Sequence, residues 1–384
     1  MILGAGCSGR GQLGQLAWAA GWELVLVDRD PALVARLRQA GRYTVRLCRA
    51  EAEREVVVDG FRAYHVSETA ALEREGLEVA LVLTCLFSHN LPTVAPLVAG
   101  LLAARCAAGI TAPLNVICCE NMQHGSSVFR AQVLPLLRPE VAAYAAQCVG
   151  FPDAMISRVV PLPVGDPLTL LAEDYSEWTV DQAQFRGPPP DLPALERVPN
   201  QDARLARKFF MHNGAHAVCA YWGFHRGHTY IHEAMADPVV LAHVTGVIAE
   251  LAPVVARHYG FELGATLAYG LELRSRGATA ALRDRILRVV RDPLRKLARE
   301  ERLVAPAVLA LADGSPCVEL VAAIVAVLRY QHPDDPQSVA LQQRLQQAGL
   351  ARVLPGILGV PAEHPLVGLV AGGYPLWQDP APRR

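Results

Sequence analysis

Met1-Ile2-Leu3-Gly4-Ala5-Gly6-Cys7-Ser8-Gly9-Arg10-Gly11-Gln12-Leu13-Gly14-Gln15-Leu16-Ala17 is the stretch that decides the fold. A short apolar strand runs straight into Gly4-x-Gly6-x-x-Gly9, and a helix follows from Arg10. Glycines at these positions allow a tight turn. They also let a pyrophosphate approach the free N–H groups of a helix N-terminus, where negative charge is favoured. Strand, glycine spacing and helix together read as a dinucleotide fingerprint, with Gly4, Gly6, Gly9 and Arg10 as cofactor-binding candidates. The next strand, residues 23–27, ends at Asp28, the expected place for a carboxylate on the adenine ribose hydroxyls. Asp28 favours NAD, since it would repel the extra phosphate of NADP, although Arg29 beside it partly offsets that. A glycine-rich turn in some other α/β domain is the alternative that the spacing alone leaves open.

Outward from this start, residues 79–85 form a Val- and Leu-rich run that suits a buried parallel strand. Residues 91–106 read as the following helix, and residues 114–118 as another strand, ending in Cys119-Glu120-Asn121-Met122. Ligands of open parallel sheets gather at the carboxyl ends of strands, so Asn121 is a site candidate. An ordinary strand-end turn would suit asparagine equally. Segments 149–152, 157–161 and 166–181 read as strands and turns at the sheet edge. The run Arg186-Gly187-Pro188-Pro189-Pro190-Asp191-Leu192-Pro193 can continue neither a helix nor a central strand. The domain boundary is placed there. The fold class is thus α/β, with an N-terminal Rossmann-type dinucleotide-binding domain over 1–190 and a mostly α-helical substrate and catalytic domain over 191–384. Helical periodicity dominates the second part, as in 239–258, 279–291, 317–330 and 339–348. The end of the chain, 380–384, reads as a loose terminus.

Composition narrows the function. The 384 residues carry a formal charge of −1, which gives no general basic surface for nucleic acid. Hydrophobic residues make up 52%, yet no uninterrupted apolar run reaches the roughly 18 residues of a membrane span. No basic leader precedes the apolar start, so no signal peptide is expected. Nine cysteines, an odd number without paired spacing apart from Cys118-Cys119, suit reduced thiols in the cytoplasm.

The chemistry is expected in Arg207-Lys208-Phe209-Phe210-Met211-His212-Asn213-Gly214-Ala215-His216. On a regular helix of about 100° per residue, Asn213 and His216 lie roughly 140° and 80° round from Lys208, so the three can address one side. A lysine beside two phenylalanines is partly desolvated, a setting in which it can serve as a general base. Asn213 can donate its amide to a carbonyl oxygen or alkoxide. The bland alternative is an amphipathic core helix with a snorkelling lysine. The run His225-Arg226-Gly227-His228-Thr229-Tyr230-Ile231-His232 invites a metal reading, but it lacks an acidic or cysteine partner at ligand spacing, and no metal is assigned.

Lys208-x4-Asn213-x2-His216 after Gly4-x-Gly6-x-x-Gly9 resembles the signature of the polyol-specific long-chain dehydrogenase/reductases, over Gly4 to about Leu303. The resemblance implies NAD as cofactor, a small polyol or sugar phosphate as partner, a metal-free reaction, and a monomer. It implies Lys208 as base, Asn121 and Asn213 on the substrate oxygen, and His216 positioning substrate. The segment Arg291-Asp292-Pro293-Leu294-Arg295-Lys296-Leu297 resembles sugar-phosphate members of the family. Pro293 would end or kink a helix there and free Arg295 and Lys296 to grip a phosphate; otherwise the arginines of 288–302 form a solvated, ion-paired helix face. The implied reaction converts D-mannitol 1-phosphate and NAD to D-fructose 6-phosphate, NADH and a proton. Two departures keep alternatives open. The small residues of Asn213-Gly214-Ala215-His216 are arranged more as in the non-phosphorylated mannitol and hexuronate branch, and Cys7 stands where relatives often carry asparagine. A nucleotide-binding regulator on the same scaffold is the reading from a different class, and the intact lysine–asparagine–histidine triplet argues against it.

Overall fold

The structure, a computed structural model, describes residues 1–50 and 52–377; the terminus read as loose lies outside the described residues. The chain divides into two compact units, 1–205 and 206 onward.

In the first unit, the apolar runs become β1 (Ile2–Leu3), β2 (Val25–Asp28), β6 (Leu81–Thr84), β7 (Leu114–Cys118) and β8 (Val149–Gly150), and the more polar Arg62–His65, which the sequence did not mark as a strand, forms β5. They form one sheet in the order β5-β2-β1-β6-β7-β8, with every pairing parallel. Counted within that sheet, this is the 3-2-1-4-5-6 order of a doubly wound dinucleotide-binding domain, whose direction reverses between β1 and β6. Side chains alternate between two cores. Leu3, Val25, Val27, Val82 and Val116 pack on one face, and Ile2, Leu26, Leu83 and Ile117 on the other. Burial on both faces is why the strands inside the edge strand β5 read as continuous apolar runs rather than as alternating ones.

Two smaller sheets complete the unit. β3 (Arg42–Arg49) lies between the antiparallel β4 (Ala52–Asp59) and the parallel β10 (Thr169–Glu173). β11 (Glu177–Asp181) lies between the antiparallel β9 (Ala154–Ser157) and the parallel β12 (Glu196–Val198). Of the 149–181 segments expected at the main sheet edge, only β8 is there. The proline run 186–193 lies inside the first unit, because β12 follows it and pairs with β11.

The second unit is helical among its described residues. The helices Asn213–His225 and Pro238–Tyr259 carry its core, with Tyr221, Val244, Val247 and Leu251 fully enclosed. Asp237 starts the longer helix by accepting the Val239 N–H at 2.9 Å. By length and composition, Pro238–Tyr259 and residues 88–107 could each cross a membrane. The sequence reading placed helices over 91–106 and 239–258 without a membrane span, because polar residues such as Arg105 in the first and His243 and Glu250 in the second interrupt the apolar runs. Each contributes side chains to its unit's core.

One expected helix is absent. Residues 279–291 hold only a 3-10 turn, Ala280–Leu282, and a single helical turn, Ile286–Val289. Between them Arg283 adopts a left-handed conformation (φ 44°), and Tyr230 and Arg285 form an antiparallel bridge. The Ile231 N–H donates to the Asp284 carbonyl at 2.9 Å and the Ile286 N–H to the Thr229 carbonyl at 3.0 Å. These bonds use the Asp284 carbonyl and the Ile286 N–H outside any helix, so no continuous helix can run through 284–286. Pro293 likewise opens the short helix Pro293–Lys296 rather than kinking a longer one. The histidines of 225–232 are spread over three elements: His225 ends the helix Asn213–His225, His232 lies in the short helix Ile231–Met235, and His228 follows the turn at Gly227 (φ 79°), its Nε2 2.9 Å from the buried Asp237 carboxylate.

Candidate active site

The glycine loop sits at the carboxyl end of β1, at the point where the strand order reverses. Gly4 and Ala5 donate to the Val27 carbonyl at 2.8 and 3.1 Å, which ties the loop to β2. Gly4 has φ 101°, and a Cβ there would stand 2.4 Å from the Cys85 carbonyl oxygen. A Cβ on Gly9 would stand 2.0 Å from the Gly4 carbonyl oxygen. A Cβ on Gly6 would meet nothing within 4 Å. Two of the glycines are therefore required by the protein's own packing. The third leaves open space where a pyrophosphate could approach the backbone, so the loop fits a dinucleotide.

Arg10 is placed differently from its expected role. Its side chain is buried, with Nε donating to the Ala5 carbonyl at 2.7 Å and Nη1 to the Pro167 carbonyl at 2.8 Å. It supports the loop from within the protein. The helix behind the loop widens into a π-helical turn over Gly9–Gly14. Asp28 closes β2 half-buried, and its Oδ1 accepts the Asp30 N–H at 3.0 Å.

Asn121 is exposed just beyond β7. Its neighbour Glu120, which the motif reading passed over, is buried and clamps the next strand. Oε2 accepts from Thr84 Oγ1 at 2.7 Å and Oε1 from the Leu86 N–H at 2.8 Å. Burial raises the Glu120 pKa, against the pull of those two hydrogen bonds. The clamp joins the carboxyl ends of β6 and β7 and so fixes the turn that carries Asn121.

In the second unit, Lys208–His212 forms a π-helical turn that leads into the helix Asn213–His225. This corrects the expected regular helix: a π turn rotates less per residue, which shifts Lys208 round from its α-helical position. Such turns recur at functional sites. From Asn213 to Gly223, Asn213 and His216 are the two residues that are not buried. They stand three apart, on one face of a helix whose other sides are closed by core. At Gly214 the helix backs onto the Arg302 carbonyl, which a Cβ would approach to 3.2 Å.

His216 Nε2 lies 3.4 Å from Asp284 Oδ2. The same carboxylate receives Arg288 Nε and Nη2, both at 2.7 Å. Burial opposes ionisation of Asp284, but His216 and Arg288 outweigh it and hold its carboxyl well below the usual range. His212, its ring centroid 5.8 Å from that of His216, is driven well below the usual imidazole range by burial and then by Arg276, His216, Lys208 and Arg288. It is therefore neutral. No spacing rule in the sequence links Asp284 to His216; the backbone pairing of 229–231 with 284–286 brings that segment to the helix.

Arg295 is half-exposed, with Nη1 3.1 Å from Glu301 and Nη2 3.7 Å from Asp292. Lys296, expected beside it on a phosphate, is instead buried, with Nζ donating to the Arg291 carbonyl. Among the described residues, no group of three or more His, Cys, Asp or Glu side chains is placed to hold a metal ion.

Comparison with known proteins matches residues 1–194 to the mannitol dehydrogenase Rossmann domain and residues 202–353 to the mannitol dehydrogenase C-terminal domain. Mannitol-1-phosphate 5-dehydrogenase of Brevibacillus brevis is 36% identical over 371 residues, covering 96% of this chain and 95% of that one. Mannitol 2-dehydrogenase of Pseudomonas fluorescens, solved as a ternary complex with NAD and D-mannitol, superposes with a TM-score of 0.75 at 20% identity, covering 97% of this chain and 90% of that one. A D-sorbitol dehydrogenase in substrate-free form gives 0.82 at 17% identity, covering 98% of this chain and 92% of that one. At such identities the two structures speak for the fold.

Proposed function

The chain belongs to the mannitol dehydrogenase family, and from that premise we propose that it is an NAD-dependent dehydrogenase of an acyclic polyol phosphate, interconverting D-mannitol 1-phosphate and D-fructose 6-phosphate. The observation that carries the reading is the pair of partly exposed polar residues, Asn213 and His216, on a helix otherwise buried as far as Gly223, directly after the π turn that bears Lys208.

In this reading, the open face of Gly6 and the Asp28 carboxylate hold the dinucleotide, Asp28 selecting NAD over NADP. Bound NAD supplies the hydride acceptor. Lys208 takes the proton of the reacting hydroxyl. Asn213 and Asn121 donate amide N–H groups to the oxygen as it gains negative charge, which lowers the barrier by stabilising the alkoxide. His216 holds the substrate chain, and Arg295 receives the phosphate by exchanging it for Glu301 or Asp292.

The choice of a phosphorylated substrate draws on the 36% identity to a mannitol-1-phosphate 5-dehydrogenase across nearly the whole chain. The test is NADH oxidation by the purified, metal-stripped protein with fructose 6-phosphate and, in parallel, with fructose. Turnover confined to the phosphate supports the full reading. Turnover with fructose alone keeps the lysine mechanism and moves the substrate to the free polyols. Silence with both sugars and with hexuronates, while NADH still binds, overturns it.

A further inference from the structure

We infer that Asp284 is a positioning residue for His216: it fixes the imidazole with its proton on Nε2 and leaves Nδ1 as an acceptor for a substrate hydroxyl. The inference rests on the proposed placing of His216 against substrate. Nε2 faces Asp284 Oδ2 at 3.4 Å, and the two side chains are only 14% and 10% exposed. A neutral imidazole carries one N–H, and a carboxylate can only accept. The nitrogen that faces Asp284 must therefore hold the proton, because an unprotonated Nε2 would set two acceptors against each other in a buried place. Such pairs are often long in the free enzyme and tighten when substrate binds.

The carboxylate is itself immobilised. Arg288 grips both of its oxygens at 2.7 Å, and the Asp284 carbonyl accepts the Ile231 N–H at 2.9 Å. Arg288 also balances its charge, so the pair orients the ring without adding net negative charge beside the substrate. The other groups acting on this side are cationic or neutral: Lys208, Arg276 and the neutral His212. Lys208 and Arg276 have only donors to offer, and the one acceptor nitrogen of the neutral His212 belongs to a ring whose centroid is 5.8 Å from that of His216, so the near acceptor for Nε2 is Asp284 Oδ2 at 3.4 Å. A polyol brings a row of hydroxyl donors, and a fixed acceptor nitrogen selects the register at which one of them is seated. Neither the fingerprint nor the lysine motif contains this information.

The experiment is the ¹⁵N ring spectrum of histidine-labelled full-length protein, with the His216 signal identified by its loss in His216→Asn. It is combined with kinetics of Asp284→Asn and Asp284→Glu. The expected spectrum shows His216 protonated at Nε2 and changes its tautomer balance in Asp284→Asn. That variant is expected to lose about 10- to 100-fold in kcat/KM, as when an orienting partner of a functional histidine is removed. NADH affinity should be unchanged, and Asp284→Glu should recover part of the loss. Protonation at Nδ1 in the unmodified protein, or unaltered kcat/KM in Asp284→Asn, overturns the assignment. The spectrum of the unmodified protein needs neither turnover nor a folded Asp284 variant. A protein silent on every polyol would therefore sink the proposed function, while the tautomer still decides the role of Asp284.

Discussion

Gly9 stands so close to Gly4 that a Cβ on Gly9 would lie 2.0 Å from the Gly4 carbonyl oxygen, whereas a Cβ on Gly6 would meet nothing. The two glycines of one motif are thus required by different things, the first by the fold and the second by space outside it. Gly9→Ala is expected to lower the melting temperature clearly, since the clash is with backbone and cannot be relieved by a rotamer change. Gly6→Ala should leave melting nearly unchanged and weaken NADH binding by about tenfold or more, roughly 1.4 kcal/mol. Thermal melts and NADH titration of the two variants separate these effects. A Gly6→Ala protein that binds NADH normally would show that the open space is not the pyrophosphate's.

Lys208→Ala is expected to reduce kcat by about 10²- to 10⁴-fold, the range for losing a positioned general base, with NADH affinity retained. Stopped-flow measurement of hydride transfer, beside NADH titration, checks it. Turnover within a few-fold of the parent would remove Lys208 from the base's role. The neighbouring His212 is no substitute, because burial makes it a very weak base and encloses it.

Most of the sheet was legible because its buried parallel strands are written as apolar runs and its loop as spaced glycines, both local signals; the edge strand Arg62–His65, polar and partly exposed, carries no such signal. The lysine motif was legible as residue types but not as geometry. Nothing in Lys208–His212 announces a π turn, and an α-helical wheel misplaces Lys208. The break at 279–291 was hidden for a longer-range reason. Helical periodicity there is outweighed by hydrogen bonds to Thr229 and Ile231, partners some fifty residues away that no local pattern names. The same pairing explains why Asp284, which faces His216, was missed. Lys296 was expected on a phosphate because the segment 291–297 resembles sugar-phosphate members of the family, yet the chain closes over it.

Arg295 and Lys296 are therefore expected to part company when tested as a phosphate site. Arg295 is half-exposed, and its partners are carboxylates on the same surface, which a phosphate can displace. Arg295→Ala should raise KM for fructose 6-phosphate by about 10- to 100-fold, as for a lost charge-assisted hydrogen bond, and should leave KM for fructose nearly unchanged. Steady-state kinetics on both sugars decides it. Equal effects on the two would end this role for Arg295.

Lys296 should instead reveal itself in the pH dependence of stability. Its ammonium is buried, and burial, with Arg295 and Arg302 nearby, lowers its pKa from 10.5 to about 7 against the opposing pull of Asp292 and Glu301. Between those two values the unfolded chain holds a proton that the folded chain does not, so folding releases it. Stability from this group is then complete above the unfolded pKa and is lost as pH falls toward 7, at a slope of at most about 1.4 kcal/mol per pH unit. Below about pH 7 both states are protonated and the loss is constant. Urea unfolding at pH 7 and pH 9.5 should accordingly show a rise in stability for the parent protein that is smaller in Lys296→Met, whose thioether fills the same space without a charge. Other groups titrate in this window, but they are common to both proteins, so the difference between the two slopes isolates Lys296. Parallel slopes would mean that the Lys296 ammonium is solvated after all, and would return it to the surface as a candidate for the phosphate.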